Sequence, residues 1–158
     1  MGKLNTAAST TATVLDGQNI VKVHVDEKGT IQGYRYADDF CFNYEIADSC
    51  LSEPFKFLNV FRSSNLNTLQ SSGVIGLAPI SNITGLPSIM EQMDQTRTEK
   101  IFPAFSIFYS DNYFYNGAIL FGQYDTNTYA SPEMTPSNIA WSSIGNQTEF
   151  WMAHIGTT

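Results

Sequence analysis

The sequence predicts a mostly antiparallel β fold with one short helix. Runs of strand length with alternating apolar residues recur along the 158 residues, each bounded by glycine, proline, asparagine, aspartate or serine. Against them, only the segment Leu86–Gln95 places apolar residues at helical spacing. Many strands and one helix is the pattern of a β architecture rather than of a helical bundle or an alternating α/β fold. An apolar content of 42% and an aromatic content of 13% set the chain apart from disordered sequences, and its length suffices for a sizeable core.

The elements follow in order. A polar entry, Ser9-Thr10-Thr11, leads to a turn at Asp16-Gly17-Gln18-Asn19. A β-hairpin is predicted over about residues 20–36. Its incoming strand sets Val21, Val23 and Val25 on one face and Lys22 and His24 on the other, Asp26-Glu27-Lys28-Gly29 forms a charged tip, and Thr30 to Tyr36 returns with Gly33 inside it. Phe40-Cys41-Phe42 and the run Phe55 to Phe61 come next, and Phe55, Phe57 and Phe61 share one face, expected in the core. Ser63 to Ser71 is a polar loop. Val74 to Leu77 is expected as a buried strand, β-branched at Val74 and Ile75 and stopped by Pro79. The helix carries Leu86, Ile89, Met90 and Met93 at one spacing, with Pro87 in its first turn. Phe105, Ile107 and Tyr109 alternate as a strand, and Gly117 to Asp125 is another with glycine near each end. Thr126 to Asn138, with two prolines, reads as a crossing loop before strands at Ile139-Ala140-Trp141 and Glu149 to Ile155.

Composition and motifs exclude several functions. The net charge is −7 and the eight Lys and Arg are scattered, which disfavours a nucleic-acid partner. No run is long and apolar enough to span a bilayer. There is no Cys-x-x-Cys, and His24 and His154 lie far apart, so neither a metal site nor a cofactor is expected. A phosphate loop, a Gly-x-Ser-x-Gly elbow and a His-Glu-x-x-His are likewise missing from the sequence. The even cysteine count is compatible with a Cys41–Cys50 disulfide in an oxidising compartment, the alternative being two buried thiols. Two sequons, Asn82-Ile83-Thr84 and Asn146-Gln147-Thr148, are candidate glycosylation sites and fit the same compartment. The first residues lack the apolar core of a signal peptide, and their match to the N-myristoylation pattern is read as chance.

Four stretches taken together are more specific than any one. They are Gly73-Val74-Ile75-Gly76-Leu77-Ala78, the helix entered through Leu86-Pro87-Ser88-Ile89, Phe105-Ser106-Ile107-Phe108-Tyr109, and Gly117-Ala118-Ile119-Leu120-Phe121-Gly122-Gln123-Tyr124-Asp125. That order resembles the central part of the pepsin-like aspartic proteases, from about Ser9 to Ile155. The resemblance implies an incomplete pepsin-like acid protease fold. Residues 1–125 would be the distal part of the amino-terminal lobe, with the hairpin as its flap. Residues 126–158 would be the interlobe crossing and the first strand or strands of the carboxy-terminal lobe. Ser9-Thr10-Thr11 matches the family's hydroxyl-rich segment before the flap, and Gly33 with Ala37-Asp38 matches its return strand.

The resemblance also implies a substrate, a peptide or protein, and a location in the secretory pathway, a vacuole or lysosome, or outside the cell. By position, Val25, Asp26 and Glu27 at the flap tip would contact substrate. The family usually has a tyrosine followed by glycine where this chain has Val25 and Asp26, and a valine has no hydroxyl to donate. The family's chemistry needs two carboxylates, each in an Asp-Thr/Ser-Gly turn, which share a proton and activate a water. No such triplet occurs here: Asp16-Gly17 lacks the middle residue, and Asp48-Ser49-Cys50 and Asp125-Thr126-Asn127 lack the glycine. Ser72 also stands where an aspartate often precedes the Gly-Ile-Leu-Gly stretch. The expectation is therefore part of an aspartic endopeptidase without a catalytic residue of its own and inactive alone. The alternatives are a non-catalytic homologue that binds a peptide or protein, and a truncated product without function.

Overall fold

β3 (Thr30–Asp38) is paired through its backbone along both edges and is the centre of the larger sheet. On one edge lie β1 (Thr13–Val14) and β2 (Val21–His24), and on the other β4 (Phe55–Ser64), all antiparallel to it. The structure, a computed structural model, describes residues 6–25, 29–42, 45, 49–66, 73–78, 83–96, 104–109, 117–131, 133 and 135–142. Within them the architecture is mostly β, in antiparallel sheets, as the sequence predicts. The hairpin forms with Val21 opposite Gly33 and His24 opposite Thr30, and its return strand runs on to Asp38. Val21 and Val23 are buried while Lys22 and His24 are exposed, so the alternation reports the buried face correctly.

Between β1 and β2 the chain makes a tight turn at Asp16–Gln18, with left-handed backbone at all three residues. Farther on, Cys41 and Cys50 form a disulfide and an isolated antiparallel bridge. Among the described residues, the Phe40-Cys41-Phe42 run pairs at that bridge and at the flanking bonds from Phe42 N–H to Ser49 C=O and from Leu51 N–H to Phe40 C=O.

Helix α1 (Ile89–Thr96) begins three residues later than the apolar spacing alone predicts. Ser88 and Glu91 explain the shift. The Ser88 N–H donates to the Glu91 carboxylate at 2.7 Å, and the Glu91 N–H donates to Ser88 Oγ at 3.2 Å, a reciprocal capping box. Pro87 therefore stands before the cap instead of in the first turn. The helix buries Ile89, Met90 and Met93, and these meet Leu51, Phe55, Leu77, Phe105 and Phe121. Phe105 and Phe121 come from a second sheet, β5 (Phe105–Phe108) antiparallel to β6 (Ala118–Phe121), where they face each other. A short helix, α2 (Thr126–Tyr129), follows, its N-cap Asp125 accepting from the N–H groups of Asn127 and Thr128.

Three expectations are corrected. Residues 73–78 carry no strand, and Val74 and Ile75 are 77% and 56% exposed. A β-branched sequence favours extended backbone, but only a neighbouring strand makes a ladder, and no described strand lies against this one. Ile139-Ala140-Trp141 also forms no strand, with Trp141 exposed and its ring edge-on to Tyr124. Phe61 is not core: it is half-exposed, because β4 bulges there. Gln32 faces Arg62 and Gly33 faces Val60, which leaves Phe61 as the extra residue and reverses the phase of the alternation. The strand predicted at Glu149 to Ile155 lies outside the described residues.

Candidate functional site

Of the predicted flap, the described residues include both arms of the hairpin and not the tip between Val25 and Gly29. Val25 ends its incoming arm, 47% exposed, its N–H donating to the carbonyl of Gly29 at 2.9 Å. Asp26 and Glu27, the other two candidate contact residues, lie outside the described residues, as do the sequon asparagines Asn82 and Asn146. Tyr34 and Tyr36 on the return strand point at aromatic neighbours: Tyr34 lies 4.9 Å from Phe61 and Tyr36 lies 6.2 Å from Phe57, ring centre to ring centre. These contacts occupy both tyrosine rings in cross-strand packing.

The base of the hairpin is held by charge. Arg35 Nη1 donates to Asp16 Oδ2 at 2.9 Å and Arg35 Nε donates to the Thr84 carbonyl at 2.8 Å. One guanidinium thus joins the turn before β2, the centre of β3 and the loop before α1. Three residues on, Asp38 Oδ1 accepts from Thr11 Oγ1 at 2.5 Å and from Ser9 Oγ at 3.0 Å, and also from the Asp39 N–H at 2.9 Å. The Thr11 hydroxyl, above all, holds the Asp38 carboxyl below its ordinary 3.8; desolvation opposes it, and smaller contributions from Ser9 and the Asp39 N–H add to the lowering. A carboxylate kept ionised in this way is an acceptor that ties two segments together, not a group poised to move protons near neutral pH. The sequence reading paired neither Ser9 nor Thr11 with Asp38. Their separation along the chain hides the contact, and the hydroxyl-rich entry and the Asp at the end of the return strand were its only signals.

An open cavity of about 350 Å³ lies beside this base. Thr13 and Ala37 of the sheet line it, with Glu53, Pro54 and Lys56 at the start of β4 and Pro87 and Gln92 from the helix region. Gln92 is buried and shapes its wall: its Oε1 accepts from the Lys56 N–H at 2.7 Å, and its Nε2 donates to the carbonyls of Lys56 and Pro87, each at 3.0 Å. The side-chain amide thereby takes the place that a neighbouring strand's peptide group would occupy on β4. From Thr30 to Ala37 the strand advances about 23 Å at the ordinary rise per residue, so the cavity and the hairpin tip stand at opposite ends of β3.

Among the described residues no group of three or more His, Cys, Asp or Glu is arranged to hold a metal ion, and no helix is long and apolar enough to cross a membrane. The disulfide is compatible with a secreted or extracellular protein. Comparison with protein-family models, with curated proteins and with solved structures gives no match.

Proposed function

We propose that this chain is part of a pepsin-like aspartic endopeptidase, contributing the flap hairpin and its support, and that it is catalytically incomplete as given. The observation that carries the reading is the bond from Ser9 and Thr11 to Asp38. The hydroxyl-rich entry and the aspartate that ends the return strand are two places where the sequence follows the family's flap region. They are far apart in sequence and hydrogen-bonded in space, and their meeting supports the reading. The hairpin between them supports the same reading, and the disulfide and the two sequons favour the secretory pathway, a vacuole or lysosome, or the extracellular space.

In that reading the protein's substrate is a peptide or protein, and hydrolysis depends on a carboxylate pair supplied from outside these 158 residues, since no Asp-Thr/Ser-Gly lies within them. A lone carboxylate cannot both take a proton from water and hold the shared proton. A non-catalytic homologue that binds a peptide in the old cleft is the second reading. It is favoured by Val25, exposed on the hairpin and without the phenol that would reach over a substrate.

The complete transcript and the protein it encodes separate the two. An Asp-Thr/Ser-Gly on each side of this segment, with acid-pH cleavage blocked by a statine-type inhibitor, is the expected result. In that protein Val25→Tyr is expected to raise kcat/KM. Flanks with substituted triplets and peptide binding without cleavage favour the second reading. Statine-sensitive cleavage by the 158-residue chain alone, purified free of other proteases, refutes the first.

A further inference from the structure

We propose that the outer edge of β4 takes up an acidic peptide in extended conformation, which adds to the larger sheet as a further strand. β4 is ten residues long, and among the described residues β3 is the one strand that pairs with it. Gln92 shows which way its peptide groups point. The Lys56 N–H and C=O both bond the side-chain amide of Gln92, so both turn away from β3. In an antiparallel strand the peptide groups of alternate residues turn to the same side. Leu58 is therefore turned outward as well, and Val60 follows in the same row where the bulge begins. Gln92 closes this row at Lys56, and no described group bonds the backbone of Leu58 or Val60 on the outer side. A row of outward donors and acceptors is what an added strand requires.

Charge identifies the occupant. The chain has a net charge of −7, yet the charged residues of β4 are Lys56 and Arg62. Both are exposed and, among the described residues, neither is in an ion pair. A second copy of β4 is the wrong partner. Two copies paired antiparallel about Asn59 would set Lys56 of one against Arg62 of the other, and like charges placed opposite each other destabilise a sheet. A lysine, an arginine and a bulge guard an edge against its own kind. Glutamates or aspartates on the added strand would instead meet both cations. Apolar residues between them would lie beside Leu58 and the half-exposed Val60. This edge lies on the other side of β3 from the incoming arm of the hairpin, so the site is separate from the proposed flap.

The test is amide hydrogen exchange on the 158-residue chain, followed residue by residue by NMR. The probe is an acetylated, amidated peptide of about eight residues that alternates glutamate with valine. Tyr34, in the ladder between β3 and β4, is the internal reference for a folded sheet. The Leu58 N–H is expected to exchange fast in the free chain and about tenfold more slowly at saturating peptide. The Phe57 and Asn59 N–H groups, which face β3, should change little. The same peptide N-methylated at alternate residues lacks the backbone donors and should give no protection. Lys56→Glu and Arg62→Glu together, both on the exposed surface, should weaken the glutamate peptide about tenfold and favour a lysine–valine peptide. Absence of protection by the glutamate peptide overturns the proposal, and so does equal protection by the N-methylated or the lysine–valine peptide. A Leu58 N–H already slow without peptide also overturns it. If that slowness is independent of protein concentration, another segment of the chain covers the edge; if it grows with concentration, a second copy does. None of these outcomes depends on peptide cleavage, so the proposal stands or falls apart from the endopeptidase reading.

Discussion

At Gly33 the backbone of β4 lies close against β3. A Cβ built there would lie 2.6 Å from the Asn59 carbonyl oxygen and 2.9 Å from Leu58 Cγ, and the first of these is backbone that cannot swing aside. Gly33→Ala is therefore expected to weaken the hairpin by about 1–3 kcal/mol, as overpacking does. Amide hydrogen exchange along β3, which measures local opening, checks it: protection at Tyr34 and Arg35 should fall well below that of the parent chain. Asp38 makes a second prediction of the same scale. Its folded carboxyl is held below its ordinary value, chiefly by Thr11. A depressed pKa means that the tie between residues 9–11 and β3 is fully present above the unfolded value and is lost as pH falls through the folded one. Thr11→Ala should raise the Asp38 pKa toward the ordinary value in an NMR pH titration. A curve identical to that of the parent would show that the hydroxyl does not govern the group.

At the level of elements, α1 and β4 are joined by one side chain. Gln92 both donates to and accepts from Lys56 at the strand's outer edge. Gln92→Glu keeps an acceptor for the Lys56 N–H but sets a carboxylate oxygen against the carbonyls of Lys56 and Pro87. Leaving buried groups unpaired costs about 1–3 kcal/mol, so the Lys56 amide should exchange faster near neutral pH. Acidification that protonates the new carboxyl restores a donor and should recover part of the protection. The capping box at Ser88 and Glu91 is a separate device of this helix. Its signature, a serine followed three residues later by glutamate, was legible in the sequence, whereas the spacing of apolar residues alone started the helix too early.

For the whole molecule, the described core is thin. The buried hydrophobic residues among those described are Val21, Val23, Ala37, Leu86, Ile89, Met90 and Met93, and none of the described large side chains is fully buried. Exposed apolar residues include Val74, Ile75, Ile107, Ile119 and Trp141. Such exposed apolar side chains are surface that a well-packed domain buries. The isolated 158-residue chain is expected to unfold in urea with a broad transition and a small m-value, and to bind a hydrophobic dye before denaturant is added. A sharp, two-state transition of a monomer would contradict this. The Cys41–Cys50 bridge closes a short loop and should contribute about 2–3 kcal/mol through the unfolded state. Reduction and alkylation should therefore shift the transition to lower urea, and an unchanged curve would show that the bridge constrains little.

The sequence by itself determined what depends on neighbours along the chain. Val21 and Val23 alternate with Lys22 and His24, and that alternation marked both the strand and its buried face. Ile89, Met90 and Met93 at helical spacing marked the face of α1 that meets the core. Turn residues at Asp16-Gly17-Gln18 located the bend before the hairpin. Tertiary structure decided what depends on a partner far along the chain. The bulge that turns Phe61 outward exists only because β4 is read against β3 at Gly33. Arg35 found Asp16 and the Thr84 carbonyl, and Asp38 found Ser9 and Thr11, across separations that no local pattern encodes. Val74 and Ile75 have the side chains of a buried strand and yet form none. Side-chain periodicity records which surface a segment can bury, whereas a sheet is made by backbone hydrogen bonds to another segment, and the identity of that segment is a property of the folded chain.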